Sequence, residues 1–206
     1  MKNQKKEPQA VEKSILAFVR RRGRGCVFVP ADFLELGSRE SIDVALHNLT
    51  NEGSIRRLAR GVYDYPAEHP VLGKLLPTAE TIAKALAGRD HLKIQPAGAY
   101  AANVLGLSEQ VPAKVVFLTD GSSRTVKVGP MTIQLRQTTA RNMATAGRLS
   151  GILIQAFREL GQVHITPERI AHLKKTLPLD KRKQITKDLK FAPEWMRPLF
   201  LALAKE

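Results

Sequence analysis

The side chains best suited to chemistry lie between Ser38 and Arg60. Ser38, Arg39, Glu40, Asp43, Val44, His47, Asn48 and Asn51 are mostly short hydrogen-bonding groups, and Arg56, Arg57 and Arg60 follow almost at once. Amides, imidazoles and short carboxylates present donors and acceptors that match base edges, and arginines match phosphate oxygens. The chemistry is recognition of a nucleic acid. Catalysis would need convergent groups. His47, His69, His91, His164 and His172 show no metal-ligand spacing and no accompanying cluster of cysteines or carboxylates. No Gly-rich phosphate loop of the Walker type occurs. The chain is therefore not read as an enzyme, and neither cofactor nor metal is expected.

These residues need a scaffold, and the local periodicity supplies one. Ile42, Ala45, Leu46 and Leu49 recur at helical spacing between Ser38, a good N-cap, and Gly53, a good terminator. Glu40, Val44, His47 and Asn51 then fall opposite the apolar stripe, with Asp43 and Asn48 on its flanks and Arg39 in the first turn. Ile55–Leu58 and Val62–Tyr65 read as two short strands around Ala59, Arg60 and Gly61. Upstream, Val11–Arg22 reads as a helix, Cys26–Val29 as a strand and Pro30–Leu36 as a brief helix. This order is that of a winged helix-turn-helix, whose outer helix enters the major groove while a basic hairpin meets phosphate or the minor groove. The plainer alternative is a solvated surface helix followed by a charged hairpin.

Composition favours the same class of partner. The formal charge is +14 over 206 residues and the isoelectric point about 10.2, which suits a polyanion, DNA or RNA. Arg20, Arg21, Arg22 and Arg24 close the first helix, where they suit its dipole and could also touch backbone phosphate. Cys26 is the only cysteine and sits among Val27, Phe28 and Val29 like a core residue, so no disulfide framework is expected. No apolar run approaches the length of a membrane span and the start is charged, so a soluble, cytoplasmic protein without a membrane partner is expected.

The fold class expected is α+β, with domains at 1–10 (a disordered basic tail), 11–66 (the winged helix), 67–77 (a linker) and 78–206. The last is a mixed domain with a small antiparallel sheet, a meander of Val115–Thr119, Thr125–Val128 and Met131–Leu135, and C-terminal helices. Helices are expected over Thr78–Ala87, Ala97–Leu107, Thr145–Leu160, Thr166–Leu177, Asp180–Leu189 and Trp195–Ala204. The C-terminal third is the most basic, and Arg141, Arg148, Lys174, Lys175 and Lys183 are candidates for a surface that meets a polyanion; a solvated helical face explains the same charges.

The stretches GCVFVPADFLELGSRESIDVALHNLTNEGSIRRLARGVYDYP, QPAGAYAANVLGLSEQVPAKVVFLTDG and ATAGRLSGILIQAF resemble the DUF6088 group of AbiEi-like proteins, antitoxins of abortive-infection type IV toxin–antitoxin pairs, over residues 11 to 200. The resemblance implies a winged helix that binds inverted repeats in double-stranded promoter DNA and represses transcription. It also implies a C-terminal domain that counteracts a nucleotidyltransferase-like toxin, not necessarily by direct binding. Alternatives are a stand-alone winged-helix regulator and a basic RNA-binding module, so RNA remains a candidate partner. The resemblance further marks Tyr100, Asn103, Ser108, Gln110, Thr119, Asp120, Gly121 and Arg124 as a characteristic patch, for which fold maintenance is the simplest role. Gly121, Ser122 and Ser123 superficially match the glycine–serine of nucleotidyltransferases, but no paired aspartates follow to hold magnesium. Asp120, Arg124 and Arg141 are left as a conceivable phosphate-handling group.

Overall fold

A computed structural model of the chain describes residues 8–205; the tail expected at 1–10 lies outside the described residues as far as position 7. The chain is α+β, and its described residues divide into two compact units, those as far as 91 with 127–129, and residues 92–126 with 130–205.

In the first unit, α1 runs Pro8–Arg22 and so begins before the expected Val11. Proline is tolerated at a first helical turn because the N–H it lacks would have no intrahelical partner there. Val11, Ile15 and Val19, one helical turn apart, are fully buried. Gly23, at φ +87, ends the helix, its N–H reaching the Val19 carbonyl at 3.0 Å. After β1 (Val27–Phe28), Pro30–Phe33 forms one 3-10 turn, shorter than the helix expected to Leu36. The Val29 N–H donates to Asp32 Oδ2 at 2.9 Å and fixes the entry to that turn. Helix α2 spans Arg39–Asn51, with Ser38 Oγ accepting from the Ser41 N–H. Its Ile42, Ala45, Leu46 and Leu49 join Val11, Ile15, Val19, Phe28, Phe33 and Ile55 in one core. Each large side chain buried this way contributes about 1.5–3 kcal/mol.

Strands β2 (Arg56–Ala59) and β3 (Val62–Asp64) form an antiparallel hairpin with Arg56 opposite Asp64 and Arg57 opposite Tyr63. Gly61 turns it at φ +68, where a β-carbon would be strained. β1 pairs with the far side of β3, giving the order β1-β3-β2. The segment expected as a plain linker carries a small antiparallel hairpin, β4 (Glu68–His69) and β5 (Gly73–Lys74). Helix α3 (Ala79–Arg89) follows and packs against β1 and β3. The boundary between units therefore falls after His91 rather than at 67–77.

The four-stranded sheet comprises β6 (Ile94–Ala97), β7 (Lys114–Thr119), β8 (Arg124–Val128) and β9 (Met131–Gln137), all in the second unit except Lys127 and Val128 at the end of β8. Its order is β6-β7-β9-β8. β6 runs antiparallel to β7, but β9 runs parallel to β7, so the sheet is mixed and the expected meander is corrected. The reason is burial: β9 brings fully buried Ile133 and Leu135 beside Val115 and Phe117, whereas β8 alternates exposed residues and suits an edge. Helix α4 is short, Gly98–Val104, and α5 is a single turn, Ala140–Met143. Helices α6 (Leu149–Leu160), α7 (Pro167–Thr176), α8 (Leu179–Gln184) and α9 (Arg197–Ala204) complete the unit. The helix expected to Leu189 turns 3-10 from Ile185 to Phe191. Leu153, Phe157, Leu173, Ile185, Met196 and Phe200 belong to the shared core of these helices. Gly151 has no room for a β-carbon, which would collide with the Thr145 carbonyl and come 2.6 Å from Gln95 Oε1. Buried Arg182 donates to the carbonyls of Leu203 and Lys205, at 2.6 and 2.8 Å, closing the C-terminal end of α9 as a cation should.

Candidate nucleic-acid interface

On α2 the positions 39, 43, 47 and 51 recur every four residues, so they form one row along the helix. All four are exposed, because the buried stripe occupies the opposite face. They pair along the row: Arg39 Nε donates to both oxygens of Asp43 at 3.1 and 3.0 Å, and Asn51 Nδ2 lies 3.0 Å from His47 Nε2. The β2–β3 hairpin rises beside this row. Together they enclose an open cleft of about 860 Å³ lined by Arg39, Asp43, His47, Asn51, Arg57 and Arg60, with Pro30, Thr50, Gly61, Tyr63 and Arg89 completing it. Four arginines face one carboxylate there, so its field attracts an anion.

Six of the eleven side chains singled out in the sequence thus meet in one place. The other five have different surroundings. Ser38 caps α2. Asn48 turns toward α1, its Nδ2 donating to Glu12 Oε1 at 2.7 Å. Glu40 and Val44 are exposed but line another part of the helix surface. Arg56 is directed inward. Its Nε donates to Asp64 Oδ1 at 3.0 Å and its Nη2 to Asp64 Oδ2 and the Leu75 carbonyl, each at 2.6 Å. That fork holds a fully buried carboxylate and is not available to phosphate.

Five residues of the cleft wall lie outside the set expected from sequence, and two of them, Tyr63 and Arg89, are held there by contacts of their own. Tyr63 stacks on Phe28, centroids 6.1 Å apart at 15°, which fixes its ring in the cleft wall. Arg89, at the end of α3, donates from Nη1 to the Arg60 carbonyl at 2.8 Å and from Nε to Asp90 Oδ1, also at 2.8 Å. It ties the hairpin turn in place. A basic residue in a last helical turn signals only a dipole contact, and Arg89 lies past the expected boundary, so nothing local pointed to this role.

Elsewhere two of the four arginines at and just after the end of α1 are engaged within the unit. Arg22 lies over Phe18 and Arg24 over Tyr65, 4.9 and 5.1 Å from the ring centroids, and Arg24 also pairs with Glu68 at 3.2 Å. Burial pushes the Cys26 thiol up from its ordinary range, partly offset by a backbone hydrogen bond at Tyr65.

In the second unit, Arg141 is exposed on α5, Lys174 and Lys175 lie in the last turn of α7, and Lys183 in the last turn of α8. Arg148 is engaged with Asp188, which is buried and also accepts from Ser150 Oγ. The Tyr100–Arg124 patch holds local structure. Asn103 Nδ2 donates to the Ser108 carbonyl, the Gln110 N–H to Ser108 Oγ, the Gly121 N–H to Thr119 Oγ1, and Asp120 accepts the Lys93 N–H. Tyr100 packs on Phe117. Among the described residues no three His, Cys, Asp or Glu side chains gather where a metal ion could be held, and no helix is long and apolar enough to cross a membrane.

A family model described as "Family of unknown function (DUF6088)" matches residues 14–185. The chain belongs to this family. Within DUF6088 the match includes the whole of α2, the basic hairpin and the four-stranded sheet. No curated protein matches the chain. Among solved structures it is similar to the RV2827C protein from Mycobacterium tuberculosis, at 15% identity and a TM-score of 0.48, covering 98% of this chain and 83% of that one.

Proposed function

We propose that this DUF6088 protein is a DNA-binding autorepressor of the AbiEi-like antitoxin type, acting in the cytoplasm. In this reading the first unit is a winged helix: α2 enters the major groove of promoter DNA, and the β2–β3 hairpin serves as the wing. The observation that carries the reading is the single cleft shared by the exposed row of α2 and the hairpin arginines. A helix of this length spans about 20 Å, enough to cross several base edges. Asn51 and His47 read bases, while Arg57 and Arg60 contact phosphate. Inverted repeats in the promoter receive two copies of the unit. The second unit counteracts a nucleotidyltransferase-like toxin without having to bind it; this part rests on the resemblance of the sequence to AbiEi-like antitoxins.

Footprinting of the native promoter tests the DNA-binding reading. Two protected half-sites are expected at moderate salt; a folded protein that protects nothing overturns it. Co-expression with a toxin encoded beside the gene tests the second part, with restored growth as the expected result.

A further inference from the structure

The second unit contains a cleft of about 500 Å³ remote in sequence from the groove-reading helix. It is built by α6, the end of β9 and the turn into α5. Gln155, Arg158 and Glu159 stand at i, i+3 and i+4 on α6 and so share one face, opposite the wall formed by Arg136, Thr138 and Asn142. Asn142 is the organiser: its Nδ2 donates to Thr138 Oγ1 at 2.8 Å and its Oδ1 accepts from Arg158 Nη1 at 3.2 Å. The first bond leaves the Thr138 hydroxyl proton free to donate. The second orients the remaining donors of the guanidinium.

Two observations mark this as more than surface relief. Gln155 is 7% exposed, yet among the described residues its amide has no hydrogen-bond partner. The amide opens onto the cleft, with its donor and its acceptor both available there. Arg136 is exposed at the cleft and, among the described residues, makes neither hydrogen bond nor ion pair. Glu159 also makes no ion pair there, so neither arginine is neutralised by it. Leu118 lies in the floor of the cleft and is itself buried. At the rim, Gly98 (φ +59) keeps clear the space where a β-carbon would stand 3.5 Å from Glu159 Oε2.

We propose that this cleft binds a nucleoside monophosphate. Two guanidiniums and a hydroxyl donor suit a phosphate dianion, since arginine forks match its oxygens. The Gln155 amide and the Glu159 carboxylate, one donor–acceptor and one acceptor, then meet the base or the ribose hydroxyls. A free phosphate would leave Gln155 and Glu159 unused, and the cleft lies in the size range of small-ligand sites.

The test is calorimetric titration of the full chain with each of the four ribonucleoside monophosphates and, in parallel, with inorganic phosphate. At least one nucleotide should bind at a single site at least tenfold more tightly than phosphate. R136A/R158A should weaken that binding at least tenfold. Q155L should weaken it several-fold while circular dichroism stays unchanged. Because Arg136 has no partner to lose, R136A alone keeps the test valid if a buried variant unfolds, and it should weaken binding several-fold. Failure of all four nucleotides, equal binding of inorganic phosphate, or unaltered binding by R136A and R136A/R158A would each overturn the proposal. None of these results bears on promoter binding by the first unit.

Discussion

Arg56 and Asp64 face each other across the β2–β3 hairpin, Nη2 2.6 Å from Oδ2, with the carboxylate fully buried and the arginine about a quarter exposed. The arginine therefore belongs to the fold of the hairpin. Replacing it strands a buried charge, and losing one partner of such a pair costs about 3–5 kcal/mol.

Arg56→Ala should consequently lower unfolding stability by about 3 kcal/mol, read from a urea midpoint shift at constant slope. Arg57→Ala, at an exposed position with no such pair, should stay within about 0.5 kcal/mol of the parent. Equal effects of the two changes would contradict the distinct roles.

The contrast shows what was legible in the chain. The apolar spacing of Ile42, Ala45, Leu46 and Leu49 marks α2 and the face it buries, but of the expected outward set Glu40, Val44, His47 and Asn51 only the last two line the cleft, beside Arg39 and Asp43. Arg56 was indistinguishable from Arg57 by type; only the cross-strand register with Asp64 separates them, and register is a tertiary property. The same holds for Asn48, which the packing of α1 on α2 commits to Glu12. The parallel β7–β9 pairing was hidden because chain order suggests a meander, while the burial of Ile133 and Leu135 decides which strand of the β8–β9 pair takes the interior.

Arg89 is a positioning residue for the β2–β3 turn. Arg89→Ala removes a charge-assisted bond to the Arg60 carbonyl, worth about 1.5–3 kcal/mol where it forms fully. Promoter affinity should fall about three- to tenfold, and hydrogen exchange at Gly61 should quicken. Arg89→Lys should restore little, because it lacks the fork that spans Arg60 and Asp90. Unchanged exchange at Gly61 in the alanine variant would contradict this role.

Cys26 should alkylate more slowly than a cysteine in a short peptide at pH 8–9, since burial raises its pKa and keeps the thiol protonated. The sign for stability follows. Above pH 9 the unfolded chain releases this proton before the folded one does, so the contribution of Cys26 to stability falls as pH rises. Cys26→Ser should remove that increment of alkaline sensitivity. Alkylation as fast as the free peptide would contradict the assigned environment.

The central claim is that α2 reads bases while the hairpin holds phosphate. Its most direct measurement is the affinity of the full chain, Asn51→Ala, Arg57→Ala and Arg60→Ala for the promoter duplex and for a shuffled duplex, each over a range of salt. The account predicts that Asn51→Ala loses about 1–3 kcal/mol on the promoter alone. Arg57→Ala and Arg60→Ala should instead lose affinity for both duplexes and flatten the salt dependence by about one phosphate contact each. Equal losses on both duplexes for all three variants, with no change in salt slope, would contradict it.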